Sequence, residues 1–200
     1  MIWMTADLHL SHMLMVVSRK FNSKEEMNHH VIDQINKYVS EKDTLYILGD
    51  ICWGDPAPFI KRIKCKNTHL IFGNHDKRRW GQHFKTSQDV LDLKVKIDDK
   101  TQRIFMSHYA HAFWPKSHRS SMEDIPSWHA YGHTHGEEEE FLNKILPERY
   151  SVDVGLDNAF RLYGELRPFC IEDLQEIFKD RVGHHWVDGS YKEIKTKYGE

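Results

Sequence analysis

Seven side chains with metal-ligand chemistry fall in five short stretches of this 200-residue chain. They are Asp7 and His9 in "TADLHLSH", Asp50 in "ILGD", Asn74 in "GNHD", His108 in "MSHY", and His133 and His135 in "GHTH". Two carboxylates, one amide and four imidazoles make a mixed oxygen and nitrogen set. Such a set suits Mn, Fe, Zn, Co or Ni better than Ca or Mg, which prefer oxygen shells. None of the three cysteines takes part, which speaks against a closed, cysteine-rich structural zinc. Seven ligands are too many for one ion and about right for two that share a bridging carboxylate. Two ions ~3.5–4 Å apart clamp the attacking and leaving oxygens of an in-line displacement and acidify a water between them. That is the chemistry of phosphoester hydrolysis.

The elements around these residues explain how they could meet. "MIWMTA" reads as a buried strand ending at Asp7, "TLYILGD" as a second closed by Gly49-Asp50, and "HLIFGNHD" as a third closed by Gly73. Residues 23–40 read as a helix, with Ser23 and Glu26 as a capping box and Met27, Val31, Ile35 and Tyr38 at helical spacing. "APFIKRI" fits a short helix after Pro56, and "IEDLQEIF" fits another. "DVLDLKVKIDD" alternates with the period of a half-buried strand, and "QRIFMSH", "SWHAYGHTHG" and "YSVDVGLD" supply further strands. The run "GEEEE" at 136–140 is most simply a solvated loop, and the chain from Lys179 onward is polar and aperiodic. The organisation is a main domain over 1–178 with a C-terminal extension over 179–200. Strand after strand ends in Gly, Asp, Asn or His. In open α/β sheets ligands collect outside the carboxyl ends of strands, so five such ends imply one shared site.

The totals set the context. Net charge is −2, so no global basic field draws the chain to nucleic acid or anionic membrane. Three cysteines without C-x-x-C spacing point to a reducing compartment. No basic leader precedes the N-terminal apolar stretch, and the expected location is the cytoplasm.

Taken together and in order, D-x-H, G-D, G-N-H-D, H and G-H-x-H resemble the calcineurin-like metallophosphoesterase superfamily, over Asp7 to about Asp157. "DLHLSH", "GNHDKR", "SHY" and "VDVGLDN…RPF" look especially like its small bacterial and phage members. The resemblance implies a four-layer α-β-β-α sandwich. It implies that Asp7, His9 and His135 hold one metal, that Asn74, His108 and His133 hold a second, and that Asp50 bridges them. His75 is then the acid that protonates the leaving oxygen, with Asp76 orienting it. A metal-bridging hydroxide attacks phosphorus in line. Two divalent ions are implied, Mn foremost and Fe, Zn or Ni as the others. The chain departs from the Ser/Thr protein phosphatase branch. It reads "GDICWGD" where that branch has G-D-x-x-D-R-G, and Asp76 where that branch has Glu.

Other residues are candidates of lower rank. His12 lies three positions beyond His9 and is as well explained by a loop as by a substrate-phosphate contact. Arg78, in the run Lys77 to Arg79, could capture a phosphate through its guanidinium. His111, His118 and His129 flank the motifs and read as non-catalytic. Trp53, Trp80, Tyr109 and Trp114 read as packing residues, with one of the four expected to touch substrate. The expected substrate is a small, nucleotide-like phosphodiester, with a monoester next. A nuclease or protein phosphatase using the same site is an alternative, and a non-catalytic scaffold is disfavoured because no ligand is missing.

Overall fold

Alternation of side chains sorts each early strand between two cores. In the computed structural model, which describes residues 1–97, 99–117, 127–147, 149–187 and 190–195, β1 (Ile2–Thr5) pairs in parallel with β2 (Thr44–Ile47). Trp3, Leu45 and Ile47 enter one core, while Met4, Tyr46 and Leu48 enter the other. Successive side chains of a strand point to opposite faces, so both faces of this sheet are apolar and both must be covered. β3 (Asn67–Ile71) and β4 (Thr86–Gln88) extend the sheet in parallel, and β9 (Phe169–Cys170) closes its other edge antiparallel to β1. The order is β4-β3-β2-β1-β9.

The second sheet has the order β5-β6-β7-β8, from β5 (Val90–Ile97), β6 (Lys100–Ser107), β7 (Ser127–Tyr131) and β8 (Ser151–Asp153). β5 and β6 form an antiparallel pair, whereas β6, β7 and β8 run parallel. Met4, Leu48 and Ile71 of the first sheet meet Ile104, Met106, Trp128, Ala130 and Val152 of the second in a common core. On the far face of the first sheet lies α2 (Lys24–Tyr38), burying Met27, Val31, Ile32 and Ile35. α4 (Glu139–Ile145) lies against β7 through Glu139 and Tyr131, and α6 (Ile171–Phe178) packs Leu174 and Phe178 against the common core. Two sheets flanked by helices is the architecture the sequence predicts.

Several local expectations change. Ser23 caps α2, accepting from Glu26 N at 3.0 Å, but Glu26 turns its carboxylate to Asn22, so only half of the capping box forms. Short helices appear where the sequence reading assigns none, at α1 (Met13–Ser18) and α5 (Leu156–Tyr163), and a 3-10 helix runs over Arg78–His83; α3 (Ala57–Ile60) follows Pro56 as predicted. The polar C-terminal segment is not irregular: β10 (Val182–Val187), which carries His184 and His185, pairs antiparallel with β11 (Ser190–Lys195). The acidic run at 136–140 is not wholly solvated. Glu139 is 3% exposed, accepts from Tyr131 Oη and from Asp153 N at 2.9 Å, and lies 3.5 Å from Arg149 Nη2. A buried carboxylate persists there because donors and a cation replace its water. His118 lies outside the described residues. Cys52, Cys65 and Cys170 are free thiols. No helix among the described residues is long and apolar enough to cross a membrane.

This arrangement brings the carboxyl ends of β1, β2 and β3 from one sheet to those of β6, β7 and β8 from the other. All seven candidate ligands lie just beyond those ends.

Candidate metal centre

Beyond β1 the chain keeps pairing with the segment that follows β2: Asp7 N donates to Gly49 O, His9 N to Asp50 O and Leu10 N to Ile51 O, at 2.9–3.0 Å. Both loops are thereby held as an extension of the sheet. Five of the seven candidate ligands, Asp7, His9, Asp50, His133 and His135, adopt positive φ between 46° and 72°. For residues with a Cβ this left-handed region costs about 1 kcal/mol or more apiece. From the sequence, such freedom is expected of the neighbouring glycines instead. Two of those glycines serve a different purpose. A Cβ on Gly73 would lie 2.3 Å from Asp50 Oδ1, and one on Gly132 would lie 2.6 Å from Asp7 Oδ2. They admit the carboxylates at close range while the ligands themselves carry the strained turns.

Two groups result, Asp7 with His9 and His135, and Asp50 with His108 and His133; within each, one ligand atom per residue lies within 4.8 Å of the others. Asp7 is fully buried; its Oδ2 accepts from His133 N at 2.8 Å, and its Oδ1 has no hydrogen-bond partner. Burial, reinforced by Asp153, pushes the Asp7 carboxyl up to about 7. His9 Nε2 lies 3.9 Å from that orphaned oxygen and 3.7 Å from Asp50 Oδ2, and burial drives the His9 imidazole down to about 3. A neutral imidazole facing an unpartnered buried carboxylate oxygen is a donor set that fits a divalent cation.

His135 is fixed from behind. Its Nδ1 donates to Asp157 Oδ2 at 2.6 Å, which leaves Nε2 as its free ligating nitrogen. Arg19 grips the same carboxylate with Nε and Nη2, each at 2.8 Å, and donates to the carbonyls of Leu8 at 2.9 Å and Asp7 at 2.7 Å. Burial raises the Asp157 pKa, but the hydrogen bonds from Arg19 and His135 outweigh it and hold the group far below the usual carboxylate range. Sequence reasoning missed Arg19 and Asp157. "VDVGLDN" offered a signal for the second only; Arg19 carries none, since it reaches the site from a helix not foreseen.

In the other group His108 Nδ1 donates to Leu48 O at 2.7 Å, turning Nε2 towards Asn74 Oδ1 at 2.9 Å and Asp50 Oδ2 at 3.5 Å. Burial raises the Asp50 pKa, yet the His108 ring, the His75 N–H at 3.0 Å and His9 outweigh it and hold the carboxyl at about 2. His133 is exposed and its ring makes only edge contacts, to Tyr109 at 4.7 Å and to His108 at 5.1 Å.

His75 Nε2 lies 4.0 Å from Asp50 Oδ2, with the side chain 39% exposed. Asp76 does not touch the His75 ring. Its carboxylate accepts from the backbone N–H groups of Asp50 at 3.0 Å, Ile51 at 3.1 Å and Gly73 at 2.8 Å. These bonds brace the Asp50 turn, and no hydrogen bond joins Asp76 to the His75 ring among the described residues. His12 is brought to the rim, 5.3 Å from the His9 ring, and its Nδ1 is buried without a partner. Arg78, exposed, pairs with Asp89 at 2.6 Å and lies over the Phe72 ring; these contacts involve none of the seven candidate ligands. His129 is structural, donating from Nδ1 to Phe105 O at 3.1 Å and accepting at Nε2 from His111 N at 3.1 Å. Trp80 and Trp114 are core residues. Trp53 and Tyr109 stand exposed at the site.

A family model described as "Calcineurin-like phosphoesterase superfamily domain" matches residues 1–146. The chain belongs to the calcineurin-like phosphoesterase superfamily. For this phosphoesterase, the two buried Asp/His groups mark a divalent-metal site. It is 26% identical over 162 residues to the uncharacterized protein MJ1445 of Methanocaldococcus jannaschii, covering 78% of this chain and 81% of that one. It is 22% identical over 182 residues to the Gene 66 protein of Mycobacterium phage D29, covering 78% of this chain and 87% of that one. The crystal structure of AQ665, a protein of unknown function from Aquifex aeolicus, shares the fold at a TM-score of 0.64 and 18% identity, covering 88% of this phosphoesterase and 98% of that chain.

Proposed function

We propose that this phosphoesterase is a binuclear enzyme that hydrolyses small, nucleotide-like phosphodiesters. The observation that carries the reading is the position of Asp50 Oδ2, 3.7 Å from His9 Nε2 in one ligand group and 3.5 Å from His108 Nε2 in the other. One carboxylate facing two imidazole-bearing groups is the arrangement of a bridging ligand. Asp7, His9 and His135 would hold one cation, and Asn74, His108 and His133 a second, with Asp50 between. Two such ions acidify a water and neutralise the charge that builds on a phosphorane-like transition state. Mn is the metal to supply first.

The chain's own residues then have separable roles. The Asp50 turn, braced by Asp76 and left open by Gly73, fixes where the two ligand groups meet. His75, outside both groups and partly open to solvent, faces the departing oxygen. As the oxygen of water bonds to phosphorus, the bond from phosphorus to the departing alcohol breaks with its electron pair on that alcohol's oxygen. His75 supplies the proton that oxygen needs. No side chain bonds to phosphorus. The weak net charge supports a small substrate over a nucleic-acid groove.

The test is a metal-supplemented assay with bis(p-nitrophenyl) phosphate, mono(p-nitrophenyl) phosphate and a dinucleoside monophosphate. We expect diesters to be cleaved faster than the monoester. His75→Ala should lower kcat on the dinucleoside about 10²–10⁴-fold while sparing the p-nitrophenyl diester, whose departing oxygen needs no acid. Full rate of His75→Ala on the poor leaving group would remove the acid assignment.

A further inference from the structure

Trp53 is a large aromatic side chain at 55% exposure in a chain whose other indoles near the motifs are buried. Its placement is built rather than incidental. Its backbone N–H donates to Leu10 O at 2.8 Å, and Cys52 bridges to Leu10, so the backbone is tied to the loop that carries His9. The indole stacks on the His12 ring at 4.6 Å and 11°, and it meets the His75 ring at 5.3 Å and 52°. His12 and His75 are 6.5 Å apart, so the three centroids form nearly a right angle at Trp53. His12 therefore covers one face of the indole and His75 stands at its edge. The indole is more than half exposed, and its ring contacts among the described residues are those to His12 and His75.

We propose that Trp53 is a stacking platform for a nucleobase on the leaving-group side, so that the diesters cleaved best are those whose departing alcohol is a nucleoside. This rests on the reading of His75 as the acid at the departing oxygen. An aromatic ring bonded directly to that oxygen would lie at His75 itself. A ring one sugar further out reaches the exposed indole. The stack is sequence-tolerant because every base offers a π-face. His12 has a role here: it backs the indole and holds its plane, a positioning residue rather than a catalytic one. Its contact with Trp53 accounts for a histidine that lies outside both ligand groups.

The experiment uses the full chain loaded with Mn and two substrates that share one retained nucleotide, a dinucleoside monophosphate and the methyl ester of the same mononucleotide. Trp53→Ala should lower kcat/KM for the dinucleoside about 5- to 150-fold, the range of one base stack, and change the methyl ester less than about 2-fold. Trp53→Phe should restore most of the loss. An equal fall on both substrates would mean that the indole merely positions His75, and no fall on either would mean that nothing stacks there; both outcomes overturn the proposal. Bound Mn per chain, measured for each variant, separates these results from misfolding. Protein that cleaves bis(p-nitrophenyl) phosphate as wild type, and whose Trp53→Ala variant loses nothing on the dinucleoside, defeats this inference alone. Wild-type protein that cleaves no diester defeats the function beneath it.

Discussion

The group formed by Asp7, His9 and His135 differs from the group formed by Asp50, His108 and His133 in what lies behind each ligand. In the first, His135 is locked by Asp157, Asp157 is gripped by Arg19, and Arg19 also donates to the carbonyls of Asp7 and Leu8. In the second, His108 is fixed by Leu48 O, but the His133 ring makes no hydrogen bond among the described residues and faces solvent. Pre-set ligands lose little freedom when a cation arrives, whereas a free imidazole must be ordered at that moment. On the proposed binuclear reading the first group would be the tighter site in advance, and the second would be completed on binding.

That difference can be broken in order of effect. The largest change should come from Asp50→Asn, which weakens the carboxylate that faces both groups: the two ions per chain of the proposed reading should fall to one or none, and activity by about 10³-fold or more. His133→Ala should instead remove one ion and leave the first in place. Metal content by plasma emission spectroscopy reads both, and a His133→Ala protein that lost both ions equally would erase the asymmetry.

A smaller effect is expected at Asp157. Asp157→Asn keeps the shape but loosens His135, and should weaken the tighter Mn site about 10- to 100-fold, leaving the weaker site unchanged. Titration calorimetry would resolve the two steps. Equal weakening of both would show that the Arg19–Asp157 brace serves the fold and not one ion.

The mildest test is pH. Burial raises the Asp7 pKa to about 7 in the metal-free protein, so its proton stays on below that pH and competes with the cation. Affinity of the tighter site should therefore fall as pH drops from 7 to 5, and binding there should release protons, from Asp7 and also from His135, whose burial is outweighed by its hydrogen bond to Asp157 so that its pKa is raised. Asp50, held at about 2, is already ionised over that window and adds no such dependence. Calorimetry in two buffers of different ionisation enthalpy would count the protons, and none released at pH 6 would contradict the raised Asp7.

Much of the site is legible along the chain, because ligand chemistry is written in residue type. Asp7, His9, Asp50, Asn74, His108, His133 and His135 each follow an apolar run at a strand's end, and the fold gathers all seven. What misleads is local charge. Glu139 reads as solvated only because its partners, Tyr131, Arg149 and Asp153, are distant in the sequence or lie on other elements. Arg78 reads as a phosphate hook beside the His75 loop, yet a turn of 3-10 helix carries it to Asp89.

By itself the sequence determined the donor set, the strand-end placement and the α/β layering, since these depend on residue type and on periods of two and 3.6 along the chain. Only the tertiary structure decided which ligands share a group, that Asp50 Oδ2 stands between the groups, that Asp76 accepts from the backbone of the Asp50 turn, and that Arg19 and Asp157 hold His135. The structure also turned His12 from an unassigned histidine into the backing of Trp53. Those facts depend on contacts between residues far apart in the chain, such as Asp157 with Arg19, and on backbone turns at positive φ that no local preference announces.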